Sequence, residues 1–310
     1  RFIDIASSLL IIILVGCTIS YAWYLSDFPR LGSLQRPGTD QTYSILPFSL
    51  VMETYRGPRP TGIYDEPGAL AMLVAIVIYL RDIYRKNKVA TNFLLIFGFV
   101  TTSLAYFIFV LFYMLAKVRI GTLKSSLTAV FSTIIFTYLL SIFGVTESVI
   151  SNMSDRLELI EGTGVIQGDN RSNLMKNAIA YLSQDDVRLW LGVRDGTPEY
   201  VIDTKHGHMG ENPLSPLVYG GILGSWPYYL YILTSLLLIR TRADLVFAGI
   251  LLLVLQRPYV TSFGYSLLLL IVIASQIETK SQVISALGRK YGRFAEVRRV
   301  RMSNRLDRSK

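Results

Sequence analysis

Apolar residues along this chain gather into runs approaching the 20 or so residues that cross about 30 Å of hydrocarbon, with polar stretches between them. Ile3–Leu25 is such a run, with Tyr21, Trp23 and Tyr24 at one end in the interfacial pattern of a spanning helix. Ser26–Glu66 reads as a polar loop rich in Pro and Gly, and its apolar patch Ile45–Met52 is too short to span. Pro67–Ile83 reads as a second span opening on a proline, a residue a first helical turn accepts. Arg81, Arg85, Lys86 and Lys88 close it, and a short basic segment of this kind belongs on the cytoplasmic side.

Asn92–Ala116 is a long apolar run broken by Thr101-Thr102-Ser103, and the pattern favours a hairpin turning there over one helix. Hydroxyls can satisfy the backbone groups freed at such a break, and the turn returns Lys117 to the side of Arg85. Ser125–Val145 leads outward and Pro216–Ile239 inward, the latter ending near Arg240 and Arg242. Leu245–Leu255 and Ser262–Gln276 form a second hairpin about Gln256-Arg257-Pro258-Tyr259. The expected architecture is therefore all-α: a polytopic transmembrane protein of about eight membrane segments, some of them short and paired as hairpins. Residues 1–279 would be the membrane domain, with external loops 26–66 and 146–215, and 280–310 a cytoplasmic tail.

Within the large loop, Val149, Ile150, Met153, Leu157 and Ile160 recur at helical spacing, as do Leu174, Met175, Ile179 and Leu182. Two amphipathic helices follow, their aliphatic stripes being packing surface. Composition agrees with a membrane reading: 51% of residues are hydrophobic, 17% are charged and mean hydropathy is +0.42. The net charge of +9 invites a nucleic-acid reading. Almost all of the excess lies between Lys280 and Lys310, directly after an apolar run, which fits lipid headgroups better. Cys17 is the single cysteine, so neither an internal disulfide nor a Cys-rich metal site is available.

Topology gathers Arg56, Arg59, Arg156, Arg171, Arg188, Arg194 and Arg257 on the outer face, where guanidinium groups suit phosphate or carboxylate. His206 and His208 lie in the same loop, His208 three residues before Glu211. Either His208 or Glu211 suits a base acting on a hydroxyl, and the spacing does not separate them. Two histidines without clustered carboxylates make a poor metal site, so no metal and no cofactor is expected. No glycine-rich phosphate loop and no GxSxG elbow occurs, so nucleotide hydrolysis and serine acyl transfer lack support.

Arg59-Pro-Thr-Gly62-Ile-Tyr64-Asp-Glu-Pro67-Gly68 resembles the R-x-x-G-x-[FY]-x-x-P element of the bacterial O-antigen polymerases and O-antigen ligases. Thr102-Ser103 is similar to that family's T-x-S step, with Leu104 where an arginine often stands. Arg171 followed by a helix and Leu191-Gly192-Val193 resembles its large-loop pattern. His208 to Asn212, then Gly221 and Gly224, is similar to its H-N…G-x-x-G ending, with Met-Gly-Glu inserted.

The resemblance implies an inverting, metal-independent glycosyltransferase of the bacterial inner membrane, its site facing the periplasm or cell exterior. It would polymerise polyprenyl-diphosphate-linked oligosaccharide repeats into a cell-surface polysaccharide. Donor and acceptor would both be lipid-linked, membrane lipids would surround the protein, and chain-length regulator and flippase proteins would be further partners. Arg59, Arg171, Arg194 and Arg56 would hold the diphosphate, His208 or Glu211 would act on the acceptor hydroxyl, and Tyr64 and Trp190 would stack on sugars. A ligase moving finished glycan to a lipid or protein is the neighbouring reading. A transporter or flippase is the rival from another class, though the spans Ile3–Leu25 and Ser125–Val145 carry no charged residue near their centres.

Overall fold

A computed structural model describes residues 1–35, 42–53, 58–64, 66–117, 171–193, 212–241, 244–256, 258 and 264–281. Its helices are α1 (Phe2–Leu25), α2 (Pro67–Ile83), α3 (Lys88–Phe97), α4 (Leu104–Lys117), α5 (Arg171–Leu182), α6 (Asp186–Leu191), α7 (Ser215–Leu237), α8 (Leu245–Gln256) and α9 (264–281). Four strands lie between α1 and α2: β1 (Gly32–Gln35), β2 (Thr42–Ile45), β3 (Leu50–Glu53) and β4 (Arg59–Gly62).

These strands correct the expected all-α class. The segment 26–66 folds as an antiparallel meander in the order β1-β2-β3-β4, with a register shift at Leu50/Val51. Every residue of β4 is buried, because that strand packs on α1 and α2. Docking on α1 is close: a Cβ on Gly16 would meet the Phe48 carbonyl oxygen at 3.0 Å, and Ser20 Oγ accepts from the Phe48 amide at 3.3 Å. At the end of β4, Gly62 takes a positive φ of 68°, which a glycine adopts without steric penalty.

The polytopic expectation is corrected as well. Among the described residues α1 is the one helix long and apolar enough to cross a membrane. The expected second span, α2, has 17 residues and rises about 26 Å, short of a 30 Å core. It is buried from Pro67 through Leu80 almost without interruption and is contacted by α1, α3, α4, α8 and β4. A helix apolar on all sides is equally a buried core helix, and α2 is the centre of this one. α7 is broken at Gly221 (φ 57°, ψ −170°), so it is not one continuous span either. Ser125–Val145 and the helix expected over Ser148–Ile160 lie outside the described residues.

The break at Thr101–Ser103 is where the hydroxyl step placed it. A 3-10 turn over Gly98–Thr101 leads to Thr102, which caps it in the left-handed conformation (φ 47°, ψ 31°). The Thr101 hydroxyl donates to the Gly98 carbonyl at 2.8 Å, and the Tyr106 hydroxyl donates to the Leu94 and Leu95 carbonyls at 2.9 and 3.0 Å. Tyr106 thereby adds a second donor to the Leu94 carbonyl, which also accepts from the Gly98 amide, and ties the start of α4 to the end of α3. Lys117 then reaches Asp82 at 2.6 Å, so α4 returns to the end of the bundle where α2 stops. α8 and α9 behave similarly, since Lys280 on α9 reaches Asp244, just before α8, at 2.6 Å.

Candidate functional site

The described part of the expected site centres on Arg59. This side chain is only 9% exposed, between β4 and the α3–α4 turn. Its Nε donates to the Thr102 hydroxyl at 3.2 Å and its Nη2 to the Thr102 carbonyl at 3.3 Å. A non-glycine residue in the left-handed region is strained, and here it carries both acceptors. The chain therefore fixes the direction of one guanidinium by bending the backbone opposite it. Tyr64 follows in the turn after β4, its amide donating to the Thr61 carbonyl at 3.2 Å. It packs half-buried against the main core, and burial raises its phenol above the usual range.

Trp190 sits elsewhere. α5, α6 and the start of α7 form a second hydrophobic cluster of Ala178, Tyr181, Leu182 and Val218. The buried face of α5 is thus Ala178, Tyr181 and Leu182, whereas Ile179, assigned to the packing stripe, is exposed. Asp185 caps α6 by accepting from the Val187 amide at 3.0 Å, and the Arg188 guanidinium lies over the Tyr181 ring, 4.9 Å from its centroid. The Trp190 side chain remains 51% exposed, while its backbone crosses that of Gly221. Where α7 breaks, the Val218 carbonyl accepts from the Val193 amide at 2.9 Å, which ties the end of α6 to the start of α7.

Arg171 opens α5 by its backbone position. Arg56, Arg156, Arg194, His208, Glu211 and Arg257 lie outside the described residues. Of the expected site, then, the structure brings Arg59 and Tyr64 to one turn and places Trp190 in the other cluster. The start of α7 is tightly specified: Asn212, fully buried, accepts from the Leu214 amide at 2.8 Å, and Ser215 Oγ accepts from the Asn212 amide at 2.9 Å.

Among the described residues two further charged groups are buried: Arg81, expected in a short basic segment after the second apolar run, and Asp244, which the apolar pattern does not mark. Arg81, 3% exposed, donates to Ser7 Oγ at 2.7 Å, Thr91 Oγ1 at 3.1 Å and the Asn87 carbonyl at 2.8 Å, joining α1, α2 and α3. Asp244 accepts from Lys280, Gln276 and the Arg240–Thr241 backbone, and Gln276 in turn accepts from the Tyr79 hydroxyl at 2.8 Å. An acid immediately before the apolar run at Leu245 is a helix-start signal that could have flagged Asp244. Among the described residues no three His, Cys, Asp or Glu side chains converge as a metal site would require.

No protein-family model, no curated protein and no solved structure matches this chain. The resemblance to O-antigen polymerases and ligases is accordingly corrected, and with it the assigned repeat polymerisation and multi-pass inner-membrane localisation. The element around Arg59 is a buried strand of a mixed α/β unit, and one described helix, not about eight segments, has membrane length. The motifs were short, and short Arg, Gly and Pro spacings arise equally at the end of a strand and the start of a core helix.

Proposed function

We propose that this chain is a membrane-anchored protein, with α1 as its anchor and the four-stranded sheet docked along the stretch of that helix from Ile13 to Ser20. The observation carrying this reading is the uncovered apolar surface of α1. Phe2, Ile5, Leu9, Ile12 and Ile19 are all exposed along it, and a core helix would have buried them. The opposite face packs on β3, β4, α2 and α3. At its end, Trp23 donates to the Pro29 carbonyl at 3.0 Å and Arg30 lies 4.9 Å from the Tyr24 ring centroid, an amphipathic cluster suited to an interface. In a membrane fraction holding the full chain, the protein is expected to stay with the pellet through an alkaline carbonate wash and to be released by detergent. Release by carbonate alone would overturn the anchor.

The Arg59–Thr102 junction supports a second reading, that of a position for the phosphate of an amphiphile. A buried planar fork of donors suits phosphate oxygens, and strain such as that at Thr102 collects at ligand clamps. Decyl phosphate at saturating concentration is expected to raise the melting temperature of the detergent-solubilised protein by about 5 °C. Arg59→Lys, which keeps the charge and loses the fork, and Thr102→Gly, which relaxes the turn and removes the hydroxyl, should each cut that shift by more than half. Equal shifts in all three proteins would make the junction purely structural.

A further inference from the structure

We infer that the end of the helical bundle where α1 begins binds anionic lipid headgroups, an inference that rests on the membrane-anchored reading. α4, α7 and α9 each bring a cation to this end, and these helices and α1 each carry an uncovered aliphatic side chain within about a turn or two of it. On α1, Ile5 and Leu9 are exposed beside Asp4, which pairs with Lys86 at 2.7 Å. On α4, Leu115 is exposed two residues before Lys117, on α7 Leu237 three before Arg240, and on α9 Ile277 three before Lys280.

Asp4, Asp82 and Asp244 are already engaged by cations of the bundle, and Glu278, two residues before Lys280, is the exposed acid beside them. Lys117 takes Asp82 and Lys280 takes Asp244, both at 2.6 Å, while Asp4 takes Lys86 and lies 3.7 Å from Arg81. Arg85, Lys88 and Arg240 add positive charge on the exposed surface of the same end. Aliphatic surface directly below a cationic rim is the arrangement that meets an acyl chain and a phosphate together, with the long side chains reaching from one layer to the other. The rim is therefore complementary to an anionic headgroup, and the occupant it fits is a lipid, since a soluble polyanion would leave the aliphatic surface in water.

The test is co-flotation of the full chain, diluted from detergent, with vesicles of phosphatidylcholine alone or with one third phosphatidylglycerol. Wild type should float with both, with about tenfold higher apparent affinity for the phosphatidylglycerol vesicles in 0.1 M salt and little preference in 1 M. The triple variant Arg85→Gln, Lys88→Gln, Arg240→Gln should float with neutral vesicles as wild type does and lose most of the preference. The chain from 282 to 310 is common to both proteins, so the comparison isolates the rim. An equal preference in the variant, or none in wild type, overturns the headgroup site and leaves the anchor standing. Failure to float with either vesicle overturns the anchor, and this inference with it.

Discussion

Asp244→Ala is expected to destabilise the fold by about 3–5 kcal/mol, the loss typical when one partner of a buried, hydrogen-bonded charge pair is removed. The residue is 6% exposed, and its carboxylate accepts from Lys280 Nζ at 2.6 Å, Gln276 Nε2 at 2.8 Å, the Thr241 amide at 2.7 Å, the Thr241 hydroxyl at 2.8 Å and the Arg240 amide at 3.0 Å. Alanine leaves the Lys280 ammonium and several donors without their acceptor, and each such group keeps its desolvation penalty. Gln276 also loses the bond that orients it toward Tyr79, so the tie between α2 and α9 loosens together with the start of α8. Thermal unfolding in detergent, followed by circular dichroism, reads the loss directly.

The same carboxylate gives the fold a pH dependence of known sign. Burial pushes its pKa up, but the Lys280 ammonium and the Arg240 and Thr241 donors outweigh that and hold it down at about 2, against an ordinary value of 3.8. A group whose pKa is lower in the folded state binds fewer protons there than when unfolded. Its stabilising contribution is complete above the ordinary value and disappears as pH falls toward 2. Asp244→Asn should therefore be less stable than wild type at neutral pH, and the gap should close between about pH 4 and pH 2. A gap unchanged over that range would show that the charge of Asp244 contributes nothing.

Gly221→Ala is expected to undock α6 from α7, at a cost of about 2–4 kcal/mol to that junction. Its φ of 57° with ψ −170° belongs to a region that essentially only glycine occupies, and an added Cβ would lie 2.4 Å from the Trp190 carbonyl carbon and oxygen. Backbone cannot step aside as a side chain can. Gly192 faces the same obstacle from the other partner, where a Cβ would meet the Gly221 nitrogen at 2.5 Å. The second cluster is small and separate from the main core, so the loss should be local. Hydrogen exchange at the Val193 amide, which donates to the Val218 carbonyl, should accelerate while amides of α2 keep their protection. Gly224→Ala is the control: a Cβ there has nothing within 4 Å, and the helix should gain up to about 1 kcal/mol. Protection at Val193 that survives Gly221→Ala would remove the junction's dependence on glycine.

Both sites show where pattern reading stops. The polar, Pro- and Gly-rich neighbours of Arg59 point to an external loop position. The structure buries that arginine, because β4 is enclosed by α1, α2 and the α3–α4 turn. Four-residue strands such as Thr42–Ile45 and Leu50–Glu53 show too little alternation to stand out, and they acquire stability only by pairing and docking on a helix. Asp244 and Gly221 lie at helix starts and breaks, and their importance comes from what crosses them: Lys280 is 36 residues beyond Asp244, and Trp190 lies 31 residues before Gly221.

By itself, the sequence determined features governed by local backbone chemistry. The α2 limits at Pro67 and Ile83, the break at Thr101–Ser103, the return of Lys117 to the end of α2 and the helix after Arg171 all follow from proline, hydroxyl and cation signals acting within a few residues. Tertiary structure alone decided which apolar runs would be enclosed by protein. Length and composition describe a core helix and a membrane span in the same terms, so α2 and α1 read alike until their neighbours are placed. α2 is surrounded by helices and a strand, whereas α1 keeps one apolar face uncovered, and that difference in partners separates the core element from the helix proposed as an anchor.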